Sequence, residues 1–156
     1  MKTLVLGLGN PILGDDGVGW KVAEQIQSRI QKLAPSVEVD FASLGGLSLM
    51  ERMLGYSYVV LIDSMETGES PAGTVKVFPL VELSNPMAGH SASAHDASLV
   101  TALQAAQALG ADVPARVDVV SIEAKMTYEF SEELSPEVAA AVPVAVEKAV
   151  KLLEAN

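Results

Sequence analysis

The spacing of apolar residues switches between two periods along this chain. Thr3–Leu8 is an almost unbroken apolar run, the pattern of a strand covered on both faces. Over residues 17–33 the period lengthens. Val18, Val22, Ile26, Ile30 and Leu33 recur at steps of four and three, which predicts a helix, and Ala34-Pro35-Ser36 ends it. Residues 37–41 read as a second strand, and 47–54 as a short helix closed by Gly55. The continuous run Tyr58-Val59-Val60-Leu61-Ile62 predicts a central strand ending at Asp63. A polar loop over 64–73 leads to Thr74-Val75-Lys76-Val77-Phe78, whose alternation suits an edge strand.

Residues 84–93 read as a long loop. A helix over 96–109 follows, with Leu99, Val100, Leu103, Ala106 and Leu109 inward and Gly110 after it. A strand over 117–122 and an irregular stretch over 125–133 come next. Ser135 is then expected to cap a last helix, with Pro136 at its first position and Glu137 in its first turn, running to about Glu154. Strands alternating with helices predict an α/β three-layer sandwich. Its twisted, mostly parallel sheet has about five strands, with helices on both faces. Residues 1–156 contain no repeat or linker and are expected to form a single domain.

In such folds ligands bind outside the carboxyl ends of the strands. Three polar groups fall there or in nearby loops: Asp15-Asp16, Asp63, and the loop bearing His90 and His95.

Composition narrows what these groups do. An apolar fraction of 49% excludes disorder. No apolar run approaches the roughly 18–20 residues that span a bilayer, and Met1-Lys2-Thr3-Leu4-Val5-Leu6 reads as a strand rather than a targeting segment. There is no cysteine, so disulfides, a thiol nucleophile and thiolate metal ligands are out, and a cytoplasmic location is expected. A net charge of −10 argues against nucleic acid; it would admit a cation or a basic peptide more readily, or serve solubility alone. Oligomeric state is left open.

The turn after the first strand invites a phosphate-binding reading through Gly7-Leu8-Gly9. The third glycine of that fingerprint would fall at Ile12, Pro11 removes a donor from the supposed cradle, and Asp15 and Asp16 would repel a pyrophosphate. Gly7-Leu8-Gly9-Asn10-Pro11 also resembles the opening of bacterial peptidyl-tRNA hydrolases, but no histidine follows before position 90. Ser48, in Gly46-Leu47-Ser48-Leu49-Met50, lacks the second glycine of a nucleophile elbow. An aspartic-protease pair from Asp16 and Asp63 needs close carboxyls sharing a proton. The plainest alternative makes Asp15 and Asp16 helix-start residues and Asp63 a turn former. Two carboxylates and one imidazole converging from separate strand ends would instead form an open mixed O/N site for zinc, nickel or iron.

Taken in order, the segments resemble the endopeptidases that mature the large subunit of [NiFe] hydrogenases. The resemblance rests on the run from Leu6 to Gly19 with Asp16 as its second carboxylate, and on Asp63 after the central strand. It continues through Pro71-Ala72-Gly73-Thr74, Ser93-Ala94-His95 and Leu134-Ser135-Pro136-Glu137-Val138. The chain departs from the pattern at Phe41-Ala42-Ser43-Leu44 and at Glu123-Ala124.

The resemblance implies an endopeptidase that removes a C-terminal extension from a nickel-loaded large-subunit precursor. Asp16, Asp63 and His95 would contact the metal, and Asp16 and Asp63 would be the catalytic candidates. Nickel would arrive with the precursor rather than be held by the free protein. Asp15 is left as the helix-start residue, and His90 as an extra candidate. The competing expectation is a non-catalytic nickel-binding or chaperone-like module using the same three ligands.

Overall fold

Among the described residues five strands line up in the order β2-β1-β3-β5-β4. They are β1 (Thr3–Leu8), β2 (Val37–Ala42), β3 (Tyr58–Met65), β4 (Val75–Pro79) and β5 (Arg116–Glu123). The helices are α1 (Val18–Ile30), α2 (Gly46–Met53), α3 (Ala94–Ala108) and α4 (Pro136–Glu154). The computed structural model describes residues 2–32, 34–43, 45–84, 94–127 and 129–156, with the side chains of 83–84 and 94–98 left out. His90 and most of the expected 84–93 loop lie outside the described residues.

β1, β2, β3 and β5 run parallel, and β4 is antiparallel on the edge beside β5. The polar segment between β3 and β4 carries no crossover helix, so β4 runs back rather than parallel. Pro79, which has no N–H to donate, ends this edge strand.

The pleat sorts the core into two layers. Val5, Tyr58, Val60, Ile62, Val120 and Ile122 face α1 and α4, where Val22, Ile26, Val142 and Val146 meet them. Leu4, Leu6, Val59, Leu61 and Val119 face the other way, with Leu49 and Met53 of α2 and Leu99 of α3. β1 and β3 are buried along their whole length, as unbroken apolar runs require. The three-layer α/β sandwich expected from the alternating periods is therefore present.

Three local expectations need correction. β3 continues through Asp63 to Met65, so Asp63 is a buried strand residue and not a turn former. Leu109 is 88% exposed, because α3 ends at Ala108 and the chain turns through Gly110 before the helical phase can bring Leu109 inward. Ser135 does occupy the position before α4, but its side chain makes no capping bond; its hydroxyl is used elsewhere.

Candidate active site

The strand order places a switch point between β1 and β3. The chain leaves β1 for β2 on one side through α1 on one face, and reaches β3 on the other side after α2 on the opposite face. The two connections diverge and open a crevice at the carboxyl ends of β1 and β3, the expected ligand position in this architecture.

Asp16 follows β1 and Asp63 lies near the carboxyl end of β3, the two strands that flank the switch point. Asp16 lies in a 3-10 turn, Gly14–Gly17, between β1 and α1. Its Oδ2 accepts a hydrogen bond from Asn10 N–H at 2.8 Å, and the residue is half-buried. Asp63 is 2% exposed and pairs with Ser121 of β5 one residue beyond the Gly7–Ile62 pair.

Glycines bring these segments together. A Cβ on Gly19 would stand 2.4 Å from the carbonyl oxygens of both Leu8 and Ile62, so the first turn of α1 rests directly on the ends of β1 and β3. Gly9, at φ +129, would place a Cβ 1.9 Å from the Asp16 carbonyl oxygen. Only a glycine there lets the backbone fold over the acidic turn. Both glycines of Gly7-Leu8-Gly9 thus serve close packing, Gly7 against Gly19 and Ala23 of α1 and Gly9 against Asp16.

Asp15 has a different task from the one its sequence position implied. Its Oδ1 accepts from Ser135 N–H at 2.7 Å and its Oδ2 from Ser135 Oγ at 2.8 Å. It therefore ties the acidic turn to the start of α4 instead of capping α1. A β-bridge between Leu13 and Ser131 reinforces this tie, with Gly14 N–H on Ser131 O at 2.7 Å and Ser131 N–H on Ile12 O at 2.9 Å.

His95 is in the first turn of α3. The far end of α3 lies by the amino ends of the strands, where Gly55 N–H donates to Asp112 O and Ala115 N–H to Ser57 O. A helix of this length spans roughly 22 Å, and so its first turn lies toward the carboxyl ends, on the sheet face shared by Asp63. The His95 side chain is not among those described. Among the described residues no three His, Asp or Glu side chains form a metal-binding group.

Glu123, noted in the sequence only as a departure from the family pattern, carries the loop after β3. It is 7% exposed, and its carboxylate accepts from Thr67 N–H (2.9 Å), Thr67 Oγ1 (2.6 Å) and Gly68 N–H (3.2 Å). It shares a sheet face with Ser121 and Asp63 by strand alternation. The signal in the sequence was a carboxylate directly after the apolar end of the last strand.

This fold is that of known proteases. A family model described as hydrogenase maturation protease (HycI) matches residues 20–152. The chain belongs to that family. It is 26% identical over 152 residues to the hydrogenase expression/formation protein HupD of Rhizobium leguminosarum bv. viciae, covering 97% of this chain and 74% of HupD. It is 25% identical to the hydrogenase 2 maturation protease of Escherichia coli, covering 98% of this chain and 91% of that protein. Among solved structures, the hydrogenase maturating endopeptidase HybD from E. coli superposes with a TM-score of 0.80 at 23% identity, over 99% of this chain and 93% of HybD. HybD from Thermococcus kodakarensis gives 0.73 at 27% identity, over 97% and 99%. The chain is a peptidase of this family, and the peptidyl-tRNA hydrolase and dinucleotide readings are set aside. No helix among the described residues is long and apolar enough to cross a membrane.

Proposed function

We propose that this protease removes the C-terminal extension from a nickel-loaded [NiFe] hydrogenase large-subunit precursor, with nickel entering as part of the substrate. What supports this reading is that Asp16 follows β1 and Asp63 lies near the end of β3, the strands flanking the switch point, where Gly19 of α1 packs against the backbone of Leu8 and Ile62. His95, opening α3, is the third residue assigned to contact the metal, as the resemblance implies. The chain has no thiolate of its own, which suits a metal carried by the precursor.

Asp16 is held by Asn10 N–H yet half-exposed, as a group meeting a substrate from solvent must be. In the hydrolysis one of the two carboxylates takes a proton from water as its oxygen bonds to the scissile carbonyl carbon. The C–N bond then breaks, and the proton passes to the departing amine. The protease family weighs against the non-catalytic module, since a module would need only the metal contacts.

The test is mass spectrometry of nickel-loaded and nickel-free precursor after incubation with the protein. Loss of the C-terminal peptide from the loaded form alone, abolished by Asp16→Asn and by Asp63→Asn, supports the proposal. Equal cleavage of both forms refutes nickel recognition, and binding without cleavage supports the module. Cleavage that survives His95→Ala but not His90→Ala would transfer the third position to His90.

A further inference from the structure

We propose that Glu123 is a positioning residue for Asp63: it clamps the chain where β3 passes into the following loop and so fixes the strand end that carries Asp63. The inference rests on Asp63 as a catalytic carboxylate and adds the residue that holds it in place. Asp63 pairs with Ser121, and Met65 with Glu123. Glu123 therefore stands one strand across and two residues along from Asp63, on the same sheet face. Both are buried, at 2% and 7% exposure.

Glu123 holds both ends of the loop. Its Oε2 accepts from two successive main-chain groups, Thr67 N–H at 2.9 Å and Gly68 N–H at 3.2 Å. Gly68 has φ +72, a left-handed conformation that lets successive N–H groups converge on one anionic oxygen. Oε1 accepts from Thr67 Oγ1 at 2.6 Å, and that hydroxyl in turn accepts from Glu69 N–H at 3.2 Å. At the far end, Glu123 N–H donates to Thr74 O and its carbonyl accepts from Gly73 N–H, each at 2.8 Å. The next residue, Ala124, donates its N–H at 2.9 Å to the carbonyl of Met65, two residues beyond Asp63.

Thr67 follows Asp63 by four residues. Without the carboxylate, Thr67 and Gly68 lose three bonds, and the end of β3 loosens back toward Asp63. A reacting group displaced by about 1 Å can cost about a hundredfold in rate, so the loss falls on kcat. Glutamine separates this clamp from a need for charge. Its amide oxygen can accept from both main-chain N–H groups while its NH2 donates to Thr67 Oγ1.

The experiment measures steady-state cleavage of the nickel-loaded precursor by the wild type, Glu123→Ala, Glu123→Gln and Thr67→Val. Tyr58→Phe is the control, since it breaks the 2.7 Å bond to Asp118 near the opposite, amino end of β3. Far-UV circular dichroism and urea midpoints show that each variant is folded and by how much it is destabilised. Glu123→Ala should lower kcat about tenfold or more with KM within about twofold. Glu123→Gln should restore kcat to within about threefold of wild type. Thr67→Val, which keeps both main-chain bonds, should lower kcat about threefold. Tyr58→Phe should keep it.

An unchanged kcat in folded Glu123→Ala overturns the clamp and leaves the Asp63 reading intact. If Glu123→Ala does not fold, an unchanged kcat in Thr67→Val overturns it instead. A raised KM with kcat held assigns the loop to precursor binding and overturns the positioning role. So does a glutamine variant as slow as alanine, or an equal loss in Tyr58→Phe. Full cleavage by Asp63→Asn in the same assay overturns the Asp63 reading and the inference with it.

Discussion

Breaking the Asp15–Ser135 tie should loosen the acidic turn without touching the hydrophobic core. Asp15→Ala removes two charge-assisted bonds, at 2.7 and 2.8 Å, and leaves the Ser135 main-chain N–H without its acceptor. A bond to an ionised group contributes about 1.5–3 kcal/mol when buried. Asp15 is only half-buried, so water replaces part of what is lost, and the expected cost of Asp15→Ala is about 2 kcal/mol. Ser135→Ala keeps the N–H bond and loses only the hydroxyl, for about 1 kcal/mol.

The double variant should cost about as much as Asp15→Ala alone, giving a coupling of about 1 kcal/mol. Asp15→Asn retains one acceptor for the N–H, and its amide can donate to Ser135 Oγ, so it should lie between wild type and Asp15→Ala. Urea denaturation followed at 222 nm measures all four, and a cost of about 2 kcal/mol corresponds to about 4–8 °C in Tm for a domain of this size. Strict additivity of the two single variants, or a cost below about 0.5 kcal/mol for Asp15→Ala, would refute the tie as an energetic element.

Two further outcomes follow from the packing and the tyrosines. Gly19→Ala forces a methyl to within 2.4 Å of two main-chain oxygens that have no room to yield. It should cost about 3 kcal/mol or more and lower cleavage, whereas Ala23→Gly on the same helix should leave the turn in place; equal stability of Gly19→Ala and wild type would sink the close-packing account. At alkaline pH, the hydrogen bond from Tyr56 to Glu38 pushes the phenol up to about 12. Burial, then the 2.7 Å bond to Asp118, pushes Tyr58 up as well. The neutral phenols are favoured in the folded state. Their contribution is whole below the unfolded value of about 10 and is lost as pH rises through the folded values, so the urea midpoint should fall across pH 10–12. Tyr56→Phe should remove the phenolate absorbance change near 12, and an unchanged titration curve would contradict the assignment.

Much of the architecture was legible in the chain because burial writes itself into spacing. Val18, Val22, Ile26 and Ile30 are buried on one face of α1 as their steps of four require, and β1 and β3 are buried along both faces as unbroken apolar runs require. Boundaries were less legible. Leu109 continues the apolar spacing of α3, yet the helix stops before it, because a terminal residue has no packing partner to hold it in phase.

The sequence by itself determined the alternation of strands and helices, the absence of thiol chemistry, the acidic character and the presence of two carboxylates near strand ends. The tertiary structure alone decided which partner each acid meets. Asp15 and Asp16 are neighbours with the same chemistry, and no local pattern distinguishes a residue that holds Ser135, 120 positions away, from one that accepts from Asn10 N–H. The same holds for Glu123, whose partners lie 55 and 56 positions earlier. Spacing encodes which face of an element is buried; which distant group meets it there depends on strand order, and strand order is set by the whole chain packing at once.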